Sequence, residues 1–500
     1  MIDAGGDAPD ENESKPQKGT QQYFDVYLTR VDIGRFQPGG DFIFYKMQLV
    51  MDRSRELPIL LTRWGRIGEQ GAMQKTPYGS VREAVEEFKK VFLQKTGCRW
   101  CQQDKFKKQF GKFQLMRSNY VTLDQKNFLI PFSHDLQSLP TPFPQDLLSI
   151  LADLTNVDTY LSALKSSGID PKAMPFSHLD RKNLYSALDV LQSLQSTLVK
   201  LESMNPKPYG DKDKAQLLKQ REKMWFLSSR FYEYIPHEEY RNKMVPPISN
   251  MNMLGQKSQT LLNLIQIEMA SKILLGALYR SSNFNMNPLE YCASAAGVKL
   301  ELLNHQSGEY KLIHQYALNT YLGANRKHLS HIVKLSKPVQ DAQFEQSLGN
   351  RRLLFHGSKT PNYLGILSQG LRAQPLEVQK NGQLLGKGIY FTDMLTKAIM
   401  YTEGCSGSRY VLVCEVALGK SKEVTKHLNN EAIEEGFDSI IGLGKQGPSE
   451  ETVWLEDGAS VCAGKVKNYV GARQNSAFVY SEYVVREPTQ VRMRYLLQFK

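Results

Sequence analysis

The fold of this chain is decided by residues 351–401, which read RRLLFHGSKTPNYLGILSQGLRAQPLEVQKNGQLLGKGIYFTDMLTKAIMY. The apolar letters LLF predict a short strand, which ends at His356 and Gly357. A helix is expected next, because Pro361 suits the first turn of a helix and Gly370 suits its end. A histidine and a glycine are therefore expected at one end of a sheet.

The second half of this stretch carries two glycines and two tyrosines. Gly386 and Gly388 allow the backbone to approach a flat or charged group closely, and Tyr390 follows them. A second helix returns Lys397 and Tyr401 toward the same place. The pattern predicts a slot with two aromatic walls and a floor of backbone.

Length and composition exclude several classes of protein. The 500 residues correspond to about three or four domains, and a hydrophobic content of 41% is that of ordinary packed cores. No run of about 18 apolar residues is evident, so no membrane span is expected. Six cysteines without regular spacing indicate a reducing compartment.

The excess of positive charge is concentrated near the N-terminus. The formal net charge is +12, and residues 53–117 carry 15 basic and six acidic side chains. A basic surface on one small domain favours a polyanion as partner, and nucleic acid is the common case.

The pattern changes along the chain predict its organisation. Residues 1–22 are polar and predict a disordered tail. Residues 23–120 predict strands and one helix, which begins after Ser80 with Glu83 three residues later. The apolar face of this helix would consist of Val81, Val85, Phe88 and Phe92. Residues 121–143, which carry prolines near their end, predict a linker.

The remaining chain predicts two further domains. Residues 144–285 show leucines at helical spacing and predict an all-α bundle, whose leucines form the core. Residues 286–500 mix short helices with strong strand patterns at 410–416, 477–485 and 491–499. No strand-Gly-x-Gly-x-x-Gly-helix unit supports a Rossmann dinucleotide fold. The fold class is therefore α+β multidomain: a small sheet-and-helix domain, a helical bundle and a larger α+β domain.

Three residues in the last domain resemble the His-Tyr-Glu signature of the poly(ADP-ribose) polymerase family: His356, Tyr390 and Glu482. Each alone could be an ordinary structural residue, but together they follow the family's order and intervals. The resemblance is dense from about residue 299 to residue 500. It implies an ADP-ribosyltransferase domain that uses NAD as substrate and no metal, with these three residues as catalytic candidates.

The same resemblance assigns the NAD contacts. Two tyrosines would stack on nicotinamide, a glycine backbone would pair with its carboxamide, and other residues would hold the adenosine half. Glu482 would bind the ribose next to nicotinamide. The NAD-binding candidates are His356, Gly357, Ser358, Arg372, Tyr390, Ala398 and Tyr401.

One of these positions departs from the family. The family usually has serine directly after the lysine that matches Lys397, and its hydroxyl bonds the nicotinamide carboxamide. This chain has Ala398 there. One neutral hydrogen bond contributes about 0.5–1.5 kcal/mol, so weaker NAD binding is expected, but not an inactive enzyme.

The basic first domain resembles the WGR domain, through a Trp-Gly-Arg tripeptide that begins at Trp64 and ends at Arg66. In that family the tryptophan stacks on a sugar at a DNA end, and the arginine bridges to the helical domain. DNA-contact candidates are therefore Trp64, Arg66, Lys105, Lys107 and Lys108. Trp64 could instead be a half-buried core aromatic.

A second departure lies in this domain. The family has Asn-x-Trp after the helix, whereas this chain has Cys98 in place of the asparagine. Cys98 and Cys101 form a lone C-x-x-C, and zinc would need two more ligands at matching spacing. No metal is expected, and the DNA geometry differs from the family's where that asparagine is used.

The helical segment resembles the regulatory domain of DNA-dependent family members, which blocks NAD entry until DNA binds. The expected protein is a nuclear poly(ADP-ribose) polymerase activated by DNA ends or nicks, in the DNA damage response. It would modify protein acceptors such as histones and itself, without a membrane, and any accessory factor is unknown. The alternative is a DNA-end-binding protein with weak or mono-ADP-ribosyltransferase activity.

Overall fold

The computed structural model describes most of the chain. The described residues are 24–33, 41–52, 54–116, 129–169, 180–204, 210–235, 237, 245–323, 328–373, 385–402, 407–428, 435–449 and 451–500. The predicted tail at 1–22, the first part of the predicted linker and most of the loop before Leu385 lie outside these residues.

The N-terminal segment is a five-stranded antiparallel sheet with one helix packed on it. The strand order is β4-β3-β2-β1-β5. The elements are β1 (Asp25–Asp32), β2 (Asp41–Asp52), β3 (Leu57–Arg66), β4 (Ala72–Pro77), α1 (Val81–Thr96) and β5 (Gln114–Met116).

Helix α1 begins at the predicted cap and buries a slightly different face than predicted. The Ser80 hydroxyl accepts a hydrogen bond from the Glu83 N–H at 3.2 Å, and Gly97 ends the helix with φ 73°. The buried face is centred on Ala84, Phe88 and Phe92, whereas the predicted Val81 and Val85 are only half-buried. These phenylalanines pack against the sheet and share a core cluster with Phe106 and Phe113. The cluster thereby holds the basic segment (residues 105–112) in place.

Helices follow from residue 134 to residue 295. They are α2 (His134–Gln137), α3 (Gln145–Leu154), α4 (Val157–Ser166), α5 (Arg181–Ser203), α6 (Asp211–Tyr234), α7 (Met251–Phe284) and α8 (Pro288–Ala295). The predicted leucine seam of α5 is buried: Leu184, Leu188, Leu191, Leu194 and Leu198.

Helix α7 corrects the expectation that no segment is apolar enough to span a membrane. Its length of 34 residues and its composition alone would allow it to cross one. However, 61% of its most apolar window is buried inside the protein, and core helices of other proteins pass the same test. The packing of α7 is that of a core helix.

The C-terminal segment contains three sheets. The strand orders are β14-β15-β8-β10-β19-β7-β6, β11-β12-β18-β9 and β16-β13-β17. The strands are β6 (Lys299–Leu302), β7 (Leu329–Ser336), β8 (Arg351–Gly357), β9 (Ile389–Phe391), β10 (Arg409–Ala417), β11 (Ser421–Val424), β12 (Ser439–Gly442), β13 (Gly444–Pro448), β14 (Thr452–Trp454), β15 (Ser460–Cys462), β16 (Val466–Asn468), β17 (Phe478–Tyr480), β18 (Glu482–Val485) and β19 (Val491–Phe499). The helices are α9 (Gly308–Asn319), α10 (Pro338–Ala342), α11 (Tyr363–Gln369) and α12 (Leu395–Ile399).

One predicted strand is two strands in the structure. The run from 477 to 485 is interrupted at Ser481, so that β17 joins one sheet and β18 another. The Ser481 hydroxyl accepts from the Gly444 N–H at 3.2 Å, and its carbonyl accepts from the Thr392 hydroxyl at 2.9 Å. This break starts a new strand at Glu482.

The chain divides into two compact units, and the predicted helical bundle contributes to both. The first unit contains β1 to β5, α1, α5 and α6; the second contains α2, α3 and everything from α7 onward. Helix α6 packs on β1 within the first unit, and α7 packs on α11 within the second. The predicted domain boundaries remain predictions.

Candidate active site

Two neighbouring strands bring a carboxylate and a phenol to one face of a sheet. Strand β18 pairs antiparallel with β9, with Val484 opposite Tyr390. Cross-strand partners share a face and alternate residues of a strand share a face, so Glu482 lies on the same face as Tyr390. The sequence separates these two side chains by 92 positions, and the sheet brings them together.

His356, at the end of β8, is fixed in one tautomer. Its Nδ1 lies 2.9 Å from the Tyr390 carbonyl oxygen, and a carbonyl only accepts, so Nδ1 carries the proton. Burial lowers the pKa of His356, and the bond to Tyr390 offsets part of this effect. The ring is therefore neutral at pH 7, with Nε2 as a hydrogen-bond acceptor.

Two glycines of the site are required by packing within the protein. A Cβ on Gly357 would lie 1.9 Å from the Ala398 carbonyl oxygen. A Cβ on Gly388 would lie 2.2 Å from Val484 Cγ1 and 2.7 Å from the Val485 carbonyl oxygen. The predicted reason for Gly388, room for a flat or charged group, is therefore corrected: the neighbouring strand β18 occupies that space.

The predicted aromatic walls differ in how firmly they are held. The Tyr390 hydroxyl donates to the Gly386 carbonyl and accepts from the Leu385 N–H at 3.2 Å, so its ring is tied to the preceding turn. Tyr401 follows the end of α12 and is 45% exposed. Burial and the charge of Glu482 raise the pKa of both phenols. The Glu482 carboxylate is therefore close enough to both rings for its charge to act on them.

Glu482 is buried with one oxygen paired and one open. The residue is 3% exposed, and its Oε1 accepts from the Lys397 ammonium. Its Oε2 is buried and has no hydrogen-bond partner among the residues that the structure describes. Burial raises the pKa of Glu482, while Lys397 and His427 lower it. An open buried oxygen can accept a hydroxyl or stabilise a cation that enters the cleft.

Lys397 has a contact in the site that the sequence does not indicate. The sequence predicts that a helix returns Lys397 and Tyr401 toward the slot, and the family resemblance uses Lys397 only to locate the serine position. The helical spacing placed it near the slot, but pairing with a residue 85 positions away was not visible in the sequence.

Ser358 connects the site to helix α7. Its N–H donates to the Tyr363 hydroxyl at 3.3 Å, and its own hydroxyl accepts from Asn362 at 3.1 Å. The same amide nitrogen of Asn362 lies 3.2 Å from Asn263 Oδ1 on α7. The helix thus reaches the edge of the site. Arg372 is exposed, and residues 374–384, which follow it closely, lie outside the described part of the chain.

Ala398 lies in an apolar environment. It is 1% exposed and belongs to a core cluster with Phe355, Leu395 and Ile399. A methyl group thus stands where the family's pattern has a hydroxyl.

The candidate DNA residues of the first unit have different environments. Trp64 is 38% exposed and stacks on Tyr45, with ring centroids 6.1 Å apart, so part of its face is open. The Arg66 guanidinium lies 5.8 Å from the centre of the Phe42 ring. Lys105 and Lys107 are exposed.

Lys108, in contrast, is engaged within the unit. Its ammonium pairs with Glu233 of α6, whose carboxylate is fully buried. That carboxylate also accepts from Arg230 at 2.6 Å and from the Val31 N–H at 3.3 Å. The Glu233 carbonyl accepts from the Thr29 hydroxyl at 3.0 Å. Strand β1 and the basic segment are thereby bonded to α6.

The C-x-x-C segment is a packing element. Trp100, between the two cysteines, is buried against Phe24 and Phe88 with ring centroids 5.6 and 5.0 Å away. Cys98 and Cys101 are free thiols. Within the described part of the chain, no group of three or more His, Cys, Asp or Glu side chains could hold a metal ion.

Three family models match this chain. The model described as "Poly(ADP-ribose) polymerase catalytic domain" matches residues 307–500. The model described as "Poly(ADP-ribose) polymerase, regulatory domain" matches residues 142–292, and "WGR domain" matches residues 24–107.

The chain is similar to curated proteins over most of its own length. "Poly [ADP-ribose] polymerase 1" of Caenorhabditis elegans is 29% identical over 467 residues, which cover 91% of this chain and 47% of the relative. The proteins of the same name from Danio rerio and Gallus gallus are 29% and 30% identical, and each match covers 95% of this chain and 45% of the relative. The chain spans about half the length of the curated relatives it matches.

The ion pair generates a prediction about the ionisation of Glu482. In Lys397→Met the principal charge that lowers its pKa is lost while burial remains, so the pKa should rise further. The folded-state pKa of Glu482 in the variant then lies further above that of the unfolded chain. The variant therefore loses folding stability as the pH rises from the unfolded-state pKa to the folded-state pKa of this carboxyl. The measurement is NMR titration of the ¹³C-labelled Glu482 carboxyl. Lys397→Arg, which keeps the charge, is the control; an unchanged pKa in Lys397→Met would contradict the pairing.

Proposed function

The chain belongs to the poly(ADP-ribose) polymerase family, and on that premise we propose that it transfers ADP-ribose from NAD to proteins and extends the chain after DNA breaks activate it. One observation carries the proposal: the buried Glu482, with an open oxygen, lies on the same sheet face as Tyr390, and its charge acts on Tyr390 and Tyr401. Two aromatic rings near one carboxylate suit a flat pyridinium that is bonded to a sugar.

The chemistry breaks the bond between nicotinamide and ribose and forms a bond between the same ribose carbon and an acceptor oxygen. Nicotinamide leaves as a neutral molecule, so no strong acid is needed. The ribose develops positive charge, which the Glu482 carboxylate stabilises, and the acceptor hydroxyl releases a proton. Tyr390 and Tyr401 hold the pyridinium ring, and the backbone of Gly357 pairs with the carboxamide. Catalysis is mainly positioning and electrostatic stabilisation.

The other candidates hold the adenosine half of NAD. The Nε2 of neutral His356 accepts a ribose hydroxyl, because its Nδ1 is occupied by the Tyr390 carbonyl. Ser358 and Arg372 contact the adenosine side. The bond network from Ser358 through Asn362 to Asn263 of α7 supports the proposal that the helical region controls NAD access.

Activation begins at the first unit. Trp64 stacks on a sugar at a DNA end or nick, and Lys105 and Lys107 contact phosphates. Lys108 is held by Glu233, so we assign it to the contact with α6 instead of to DNA. A change at the DNA surface would reach α6 through this contact and through Arg66, and loosened helices would admit NAD.

The expected setting is the nucleus, with DNA repair as the process and histones and the protein itself as acceptors. A second function, a DNA-end-binding protein with weak or mono-ADP-ribosyltransferase activity, is favoured by Ala398 in place of the family's serine.

Labelled NAD with and without nicked duplex DNA tests the proposal. A ladder of products that DNA stimulates is expected. DNA binding without label transfer, or single additions only, would instead support the second function.

In Glu482→Gln, elongation should fall more than the first addition, because the amide orients the acceptor hydroxyl less well and lacks the charge. Unchanged ladders would exclude the proposed role of Glu482.

Arg66→Ala tests the coupling to DNA. The variant should retain the labelling seen without DNA but lose most of the stimulation by DNA, because the bridge to the helical region is removed. Arg82→Ala, which removes an exposed positive charge from α1, is the matched control and should keep full stimulation. Full stimulation in Arg66→Ala would refute the bridge.

Ala398→Ser tests the missing hydroxyl. A serine here should strengthen binding of nicotinamide mimics by about 2- to 10-fold, the equivalent of one neutral hydrogen bond. ADP-ribose, which lacks the carboxamide, should bind both proteins equally in the same calorimetric titration. Equal affinity for the mimic would mean that residue 398 does not face the carboxamide.

A further inference from the structure

A chain of hydrogen bonds runs from helix α3 into the sheet of the second unit. The Tyr410 hydroxyl donates to Asp153 Oδ2 at 2.7 Å, and Asp153 lies in the last turn of α3. The Tyr410 oxygen accepts from Gln498 Nε2 at 3.1 Å. Tyr410 is fully buried, and burial and the charge of Asp153 raise its pKa, so its hydroxyl stays protonated and remains the donor.

The backbone of the same tyrosine continues the chain toward the candidate site. The Tyr410 carbonyl accepts from the Tyr363 hydroxyl, and the Tyr363 oxygen accepts from the Ser358 N–H at 3.3 Å. Tyr363 is also fully buried. The side chain of Tyr363 therefore fixes the backbone of Ser358 relative to strand β10.

A second contact holds the other end of α3. His331 Nε2 lies 3.6 Å from Asp146 Oδ2, and Asp146 is in the first turn of the helix. His331 Nδ1 lies 2.8 Å from Gln498 Oε1, and Gln498 bonds Tyr410. Both ends of α3 thus converge on Tyr410.

We propose that Tyr410 and Tyr363 are positioning residues for the adenosine half of NAD, and that α3 sets their geometry through Asp153. The inference rests on the proposed function, in which Ser358 contacts that half. The Asp153–Ser358 chain (Asp153, Tyr410, Tyr363 and Ser358) makes the docking of α3 a condition for tight binding of adenosine. Its Ser358 N–H lies in the same peptide unit as the Gly357 carbonyl, so breaking the chain also disturbs the backbone proposed for the carboxamide. Tyr390 and Tyr401, which would hold the nicotinamide ring, are not members of the chain, so the adenosine half should respond more strongly than the nicotinamide half.

The test compares two ligands on the full chain by calorimetry: ADP-ribose for the adenosine half, and benzamide for the nicotinamide half. Tyr363→Phe and Tyr410→Phe keep the buried rings and remove one hydroxyl each. Both should bind ADP-ribose about 2- to 10-fold more weakly, the effect of one lost hydrogen bond. Both should lose less affinity for benzamide, because the ring contacts proposed for Tyr390 and Tyr401 remain.

Tyr495→Phe is the matched control. Tyr495 is an equally buried tyrosine on the neighbouring strand β19, and its hydroxyl donates to the Glu309 carboxylate at 2.6 Å. It is not a member of the Asp153–Ser358 chain. Its removal costs a similar hydrogen bond, yet affinity for both ligands should be unchanged.

Asp153 separates a positioning role from a structural one. Asp153→Ala should weaken ADP-ribose binding, whereas Asp153→Asn, whose carbonyl oxygen can still accept from Tyr410, should restore most of it. Equal ADP-ribose affinity in all variants, a loss for benzamide as large as that for ADP-ribose, or a similar loss in Tyr495→Phe would overturn the inference. If the unaltered protein bound neither ligand, the proposed function would fail and the inference with it.

Discussion

The candidate site depends on the ion pair between the buried Glu482 carboxylate and the Lys397 ammonium. A buried charge is costly unless a partner compensates it, and here the Lys397 ammonium compensates only one of its two oxygens. The ion pair holds α12 against β18, and α12 in turn leads to Tyr401. The Ala398 backbone of α12 also lies so close to Gly357 that no side chain fits there. The ion pair and this backbone contact together hold α12 against β18 and against the end of β8.

The helices between the N-terminal sheet and the C-terminal sheets make polar contacts with the elements that they pack on. Glu233 of α6 gathers Lys108, Arg230 and a backbone N–H of β1 around one buried carboxylate. In the second unit, α7 reaches Ser358 through Asn362, and α3 is bonded to Tyr410. Each of these contacts is polar and at least partly buried, so its loss leaves an uncompensated group and affects its neighbours. Such contacts suit the proposal that DNA binding loosens these helices.

The sequence was a good guide where the signal is local. Ser80 as the cap of α1, the leucine seam of α5 and the strand at 491–499 follow from capping and periodicity, and the structure has them. The sequence does not show which residues pair when they are far apart along the chain. The partner of Lys397 lies 85 residues away, and the interruption at Ser481 depends on bonds to β13 and to the end of β9. The resemblance to a family supplied the association of His356, Tyr390 and Glu482, which periodicity alone could not.

The contrast between Lys107 and Lys108 shows why charge patterning cannot assign a binding surface by itself. Both residues belong to the same basic run, and the formal charge treats them alike. Lys107 is exposed, whereas Lys108 has its ammonium on a buried carboxylate contributed by a helix 125 residues later. To reach a phosphate, the Lys108 ammonium would have to leave this buried carboxylate, which would then keep Arg230 as its charged partner but lose one of its two ion pairs. The loss of a buried ion pair outweighs the gain of one exposed phosphate contact. The basic segment thus has two roles: its exposed lysines face solvent, where a polyanion can bind, and Lys108 joins that segment to the helix behind it.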